Sequence, residues 1–289
     1  MCQWIEGVGE RVGARNALPL PSPLMTLWAI LLLAILQGLT EFLPVSSSGH
    51  LVMGSELLGG RLSGADKESL FILLHGASFL AVLLYFAKDI LAILRRPDRM
   101  RVIGALLLAC LPAAVAGLAL KAGGAEALFE TPALAAAGWA LSALLLWTTM
   151  RAPKPSWGVL EPEDGFPWRA LLLIGLAQAV AIVPGVSRSG STIAVALLLG
   201  MRREESFRFS FLTGLPLIFG AFLLEVGNLP QVAERLGTGS LILAFVTCFV
   251  VSWLAIGWLR RTVTGKTFHR FGAYCALAAL FTIGWILTH

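Results

Sequence analysis

From residue 25 onward the chain repeats one pattern, a long apolar run followed by a short polar or basic connector. Six runs, at about 69–87, 102–120, 133–150, 207–224, 239–258 and 271–288, approach the roughly 20 residues a helix needs to cross a bilayer. At membrane depth no water satisfies the backbone, so runs of this length fold as helices that bond internally. Composition agrees: 57% of the 289 residues are hydrophobic and 13% are charged, against about 25% charged in a soluble domain. The expected fold class is an all-α polytopic membrane protein. Residues 1–24 hold no long apolar run and end in the proline-rich LPLPSP, so a disordered extension is expected there, with a single membrane domain over 25–289. The net charge of +5 comes from basic residues scattered through short loops. That pattern suits membrane orientation and argues against a nucleic-acid partner.

Two further apolar runs, 25–36 and 171–183, fall in the range of about 10–14 residues typical of re-entrant segments. Each runs into a proline, serines and a glycine, which predicts a helical hairpin with return arms near 49–59 and 190–200. Irregular backbone survives at that depth only when protein or a wet cavity surrounds it.

The two interruptions match each other. Setting Gln37 on Gln178 also sets Val45 on Val186, Ser46 on Ser187, Ser48 on Ser189 and Gly49 on Gly190, with Ser47 opposite Arg188. At a slightly shorter offset Phe71 meets Phe209, Gly76 meets Gly214 and Cys110 meets Cys248. The chain therefore reads as two repeats, 25–151 and 169–289, each with one hairpin and three spanning helices. An odd number of crossings inverts the second repeat relative to the first. Placing Lys88, Arg95, Arg96, Arg99, Arg101, Arg151, Lys154, Arg169, Arg202, Arg203, Arg208, Arg260, Arg261, Lys266 and Arg270 in the cytoplasm leaves only Arg11, Arg15, Arg61, Lys67, Lys121 and Arg235 on the other side, with Arg188 in neither set. Both termini are then expected outside the cytoplasm, and the hairpin tips converge near the midplane.

One tip brings Glu41, Ser46, Ser47, Ser48 and His50, and the other brings Ser187, Arg188, Ser189 and Gly190. Arg188 is the basic residue that the loops do not account for. Its planar fork of donors suits phosphate oxygens, and the serine-glycine starts of the return arms suit anions as well. The blander reading is a structural Arg188–Glu41 ion pair, against which the serine density on both tips argues. Gln37 and Glu41 lie four apart on one helix face. The carboxylate of Glu41 can hold a divalent cation or act as a base, whereas the Gln37 amide can only position. His50, just past SSSG, is a candidate for proton transfer. Ser46 and Ser48 can also serve as helix caps. His75 lacks polar sequence neighbours and is expected to reach the site only indirectly. Cys2, Cys110, Cys248 and Cys275 show no metal-ligand spacing, and the last three read as small apolar packers.

QGLTEFLPVSSSGH followed by PGVSRSG strongly resembles the two signature motifs of the undecaprenyl-diphosphatase family, the bacitracin-resistance proteins of bacterial inner membranes. The likeness runs from about Met25 to the C-terminus. It implies hydrolysis of undecaprenyl diphosphate to the monophosphate and inorganic phosphate, which recycles the lipid carrier of cell-wall synthesis. It also implies a divalent cation (Mg or Ca), a homodimer, and Glu41, Ser47, His50 and Arg188 as catalytic positions. Gln37, Ser46, Ser48, Ser187, Ser189 and Gly190 would touch substrate, and Glu41 the metal. The family pattern carries Glu or Gln at the first position, and Gln37 here leaves Glu41 as the one acid. Whether Ser47, His50 or water attacks phosphorus stays open at this level. SGH and SR also occur in phosphatidic-acid phosphatases, but Ala194 and the lack of a histidine between Arg188 and His269 set that family aside. The rival function is a phosphate-binding lipid or ion transporter, since broken helices meeting at the midplane recur in transporters.

Overall fold

The computed structural model describes residues 23–57, 64–123, 131–160, 167–225 and 237–289. Regular structure among them is helical, with one isolated bridge between Trp157 and Met201. The elements are α1 (Pro23–Thr40), α2 (Ser47–Leu57), α3 (Gly64–Tyr85), α4 (Ala87–Leu94), α5 (Arg99–Ala122) and α6 (Pro132–Thr148). They continue with α7 (Trp168–Val180), α8 (Arg188–Leu198), α9 (Arg203–Glu225), α10 (Thr238–Thr264) and α11 (Phe271–Thr288). Residues 1–22 of the expected extension and 58–59 of the first return arm lie outside the described residues.

Four helical segments among the described residues are long and apolar enough to cross a membrane: Arg99–Leu120, Pro132–Arg151, Thr238–Thr264 and Phe268–Thr288. A fifth arises if the pair Leu73–Tyr85 and Ala87–Leu94, bent by 58°, counts as one span. The protein is thus a multi-pass membrane protein, and the expected runs at 102–120, 133–150, 239–258 and 271–288 fall within these four segments. The run at 69–87 breaks at Phe86, which leaves helical geometry (φ −96, ψ 11) and is buried against Phe207 and Phe211. Beyond it α4 carries Asp89 to within 3.4 Å of Arg208. The run at 207–224 lies inside α9, whose first two turns hold Arg203, Glu204, Glu205 and Arg208.

The outer surface is apolar, with Leu107, Leu111, Val115 and Leu118 of α5 and Leu277, Leu280 and Phe281 of α11 all exposed. Lipid takes the place of a hydrophobic core as partner for these side chains. Inside, large apolar residues such as Phe42, Phe86, Phe207 and Phe209 are buried, and α6 turns Ala135, Ala136, Gly138, Ser142 and Ala143 inward beside Trp139 and Leu146, small residues that let helices approach closely in lipid. α6 packs along α11, α5 along α7, and α10 along α1 and α3.

Two helix pairs carry the site. α1 ends ahead of Pro44, which has no N–H to continue the ladder and keeps Leu43 from helical geometry. The chain then turns through Ser46 at φ 66, and the Ser46 hydroxyl accepts from the Gly49 N–H at 3.3 Å to start α2. The second pair repeats the device. α7 stops before Pro184, Gly185 adopts φ +85, and the Ser187 hydroxyl accepts from Gly190 N–H at 3.1 Å to cap α8. Gly185 is required twice over, because a Cβ there would sit 2.0 Å from the Ala135 carbonyl of α6.

Candidate functional site

The two breaks meet. The Ser189 hydroxyl donates to the Phe42 carbonyl at 2.8 Å, tying the start of α8 to the end of the first helix pair's inner arm. α6 supports both breaks: the Trp139 indole N–H donates to the Val45 carbonyl at 2.7 Å, and the Ser142 hydroxyl to the Gly185 carbonyl at 3.0 Å. The Ser187 N–H donates back to the Ser142 oxygen at 3.0 Å. From α11, the Cys275 thiol donates to the Pro44 carbonyl at 3.3 Å. Cys110, Cys248 and Cys275 are buried free thiols, which fits their reading as small packers, and Cys2 lies outside the described residues.

Glu41 stands at the centre, with its side chain 9% exposed. One carboxylate oxygen accepts from the Ser47 hydroxyl at 2.8 Å and from the Gln37 amide at 3.1 Å, and the other accepts from Arg188 Nη2 at 3.2 Å. The expected pairing of acid, serine and arginine across the two tips is therefore present as direct contacts. Charge-assisted bonds of this kind are about twice as strong as neutral ones. Arg188 brings Nη1 against α9 at Gly214, where an added Cβ would fall 1.9 Å from it. Only a glycine leaves that space.

A cavity of about 870 Å³ opens at this cluster. Its polar end is formed by Glu41, Ser46, Ser47, Ser48, His75, Gln178, Ser187 and Arg188, and its walls by small and apolar residues such as Ala113, Ala114, Gly117, Ile182 and Ile218. Ser46 and Ser187 reach it while also capping their helices. Ser48 bonds to the Ser46 hydroxyl at 3.2 Å. Gln37, Ser189 and Gly190 lie behind the wall: Gln37 is fully buried against Glu41, Ser189 holds Phe42, and Gly190 holds the cap.

His50 is placed differently from expectation. It is not part of the cavity wall, and both ring nitrogens are engaged elsewhere, with the Ser46 carbonyl at 2.7 Å and the Tyr274 hydroxyl at 2.6 Å. Its ring lies edge-on to Trp139 and stacks on Tyr274. No described contact joins it to Glu41, Ser47 or Arg188. His75 takes the neighbouring place instead, with Nε2 3.9 Å from Glu41 and 3.4 Å from the Gln37 amide nitrogen. Its position on an apolar helix gave no periodic signal for this. Trp139, Ser142, Thr213 and Gly214 were equally silent, although the offset that aligned Gly76 with Gly214 pointed at the last.

No group of three or more His, Cys, Asp or Glu side chains suited to a metal occurs among the described residues. What is present is one carboxylate, Glu41, beside the Gln37 carbonyl oxygen, a buried acceptor without a partner. Hard oxygen donors of that number suit a cation such as Mg²⁺ that is held by one carboxylate together with substrate phosphates.

Comparison with known proteins places this geometry. The family described as bacitracin resistance protein BacA matches residues 30–281. Undecaprenyl-diphosphatase 2 of Burkholderia thailandensis is 32% identical over 277 residues, covering 92% of this chain and 99% of that protein. An undecaprenyl-diphosphatase of Methanococcus maripaludis is 32% identical over 261 residues, covering 89% of this chain and 99% of that protein. One from Cereibacter sphaeroides is 36% identical over 261 residues, covering 86% and 95%. Since the matched region includes both helix breaks and the Glu41–Arg188 pair, the chain belongs to the bacitracin resistance protein BacA family.

Proposed function

We propose that this protein hydrolyses undecaprenyl diphosphate to undecaprenyl phosphate and inorganic phosphate, recycling the lipid carrier of cell-wall synthesis and conferring bacitracin resistance. The observation that carries the reading is the Ser47 hydroxyl donating to Glu41 at 2.8 Å beside Arg188, at the polar end of an apolar-walled cavity. A diphosphate on a hydrocarbon tail has that same polarity.

In the proposed chemistry Arg188 binds and neutralises the phosphate oxygens. Ser47 Oγ attacks the terminal phosphorus and passes its proton to Glu41, and the anhydride bond breaks to release undecaprenyl phosphate. Water then attacks the phosphoserine, the Ser47 oxygen leaves and recovers its proton from Glu41, and inorganic phosphate departs. A divalent cation, Mg or Ca, held by Glu41, would supply further neutralisation of the diphosphate. Holding Ser47 to Glu41, with His50 committed to Tyr274, favours Glu41 over His50 as the proton acceptor. His50 then serves to orient the start of α2 through the Ser46 carbonyl.

The matched caps at Ser46 and Ser187 support an inverted-topology repeat with two re-entrant hairpins, as does the exchange in which α5 packs on α7 while α10 packs on α1. The arginine distribution supports an inner-membrane orientation with both termini outside the cytoplasm. A homodimer is carried over from the family resemblance alone.

The test is purified protein in detergent with farnesyl or undecaprenyl diphosphate. Phosphate release that stops on chelation with EDTA and returns with Mg²⁺ or Ca²⁺ is expected, together with an acid-stable phosphoserine on trapping. Binding or transbilayer movement without release would replace this reading with the transporter.

The apolar walls predict a second result. A Cβ added at Gly117 meets nothing within 4 Å, so Gly117→Leu starts in open space and takes up part of the cavity. The Michaelis constant for a long prenyl diphosphate should rise on the order of 10-fold, from loss of a few buried methylenes, while inorganic pyrophosphate binds as before. An unchanged constant would place the tail elsewhere.

A further inference from the structure

Three buried side-chain polar atoms among the described residues have no hydrogen-bond partner: Gln37 Oε1, Gln178 Nε2 and Glu205 Oε1. Glu205 lies outside the cavity, where its other oxygen accepts from the Val159 and Leu160 N–H groups. The remaining two occupy matching places, each in the last turn of the helix that runs into a break. Their unpartnered atoms are opposite in kind. Gln37 gives its NH2 to Glu41 and leaves a carbonyl, whereas Gln178 faces the Thr213 hydroxyl with its carbonyl, at 3.5 Å, and leaves an NH2. Gln178 is 2% exposed, and it lines the cavity together with Arg188 and Ser187.

An amide NH2 held out of water without an acceptor is costly, and native structures keep such groups where a ligand completes them. The ligand completing this one must be an acceptor. Glu41, the carboxylate at the cavity's polar end, is already bonded to Ser47, Gln37 and Arg188. We propose that Gln178 is a phosphate-binding residue of the site, its Nε2 donating to an oxygen of the diphosphate headgroup beside the Arg188 guanidinium. The first helix pair then supplies an acceptor, the Glu41 carboxylate, to the cation side. The second supplies donors, Arg188 and Gln178, to the anion side. The two helix pairs are divided between the two charges of one bound unit.

The proposal rests on the hydrolase reading only for the identity of the ligand. Its test is binding of inorganic pyrophosphate to the full-length protein in detergent by isothermal titration, alongside the Michaelis constant for farnesyl diphosphate. Gln178→Leu, which keeps the bulk and removes the donor, should weaken both by roughly 10–100-fold, the range for one hydrogen bond to a charged group, with kcat within about threefold. Gln178→Glu should weaken them further by setting a carboxylate against phosphate. Pyrophosphate binding within about twofold of wild type in either folded variant would overturn the assignment. If neither variant folds, Gln178→Asn decides it. Drawing the amide back by one methylene should weaken pyrophosphate binding about threefold or more, and wild-type binding would overturn the proposal. A wild-type protein that binds pyrophosphate without releasing phosphate from the lipid would sink the hydrolase reading alone.

Discussion

Arg188→Ala is expected to lower phosphate release on the order of 10³-fold, because it removes the guanidinium that lines the cavity beside Glu41 and that the proposed chemistry sets against the phosphate oxygens. The same change leaves Glu41, 9% exposed, without its cationic partner. Removing one member of a buried pair costs about 3–5 kcal/mol in stability, so loss of activity alone does not separate catalysis from folding. Two further variants do. Arg188→Lys keeps the charge and should melt near wild type, yet it loses the planar fork and should remain well below wild-type turnover. The double variant Glu41→Ala with Arg188→Ala removes both charges and should recover much of the lost stability without recovering activity. An ion pair with only a structural role gives the opposite result: the double variant would regain activity along with its melting temperature. Phosphate release by folded Arg188→Ala within a fewfold of wild type would end the assignment of Arg188.

What could be read in the sequence, and what could not, follows from the range of each interaction. Pro44 and Pro184 act on their immediate neighbours, so the positions of both breaks were legible, and the VSxSG match correctly set the tips against one another. Glu41 with Arg188 followed from asking which polar residues lacked a loop to explain them. The supports were hidden because they act across the chain: Trp139 holds a carbonyl 94 positions away, and Tyr274 meets His50 across 224. That second contact turns His50 from the cavity, and no local pattern around SSSGH records it. The bend at Phe86 was also illegible, since apolar content measures whether a helix tolerates lipid and says nothing about the direction of its axis. His75 reached the site through packing of α3 beside α1.

Gly214 gives the sharpest test of that hidden layer, because its effect runs through another residue's position. A methyl group there would fall 1.9 Å from Arg188 Nη1, far inside contact distance. The obstacle is the end of a long side chain and not backbone, so the protein can yield by swinging the guanidinium away while the helices stay where they are. Gly214→Ala should therefore fold and melt above Arg188→Ala, because the displaced guanidinium keeps its charge near Glu41 and glycine to alanine inside a helix is itself favourable by roughly 0.5–1 kcal/mol. Activity should nevertheless fall by roughly 10²-fold, as expected when a charged group is displaced by about an ångström or more from the reacting phosphate. Pyrophosphate binding should weaken in parallel, because in the proposed chemistry Arg188 binds the phosphate oxygens before reaction as well as during it. Adding Arg188→Lys to Gly214→Ala supplies the control: the narrower ammonium fits beside the new methyl, so the two changes together should cost less than the product of their separate effects. Effects that multiply independently would mean that Gly214 does not act through Arg188, and that the guanidinium owes its position to Glu41 alone.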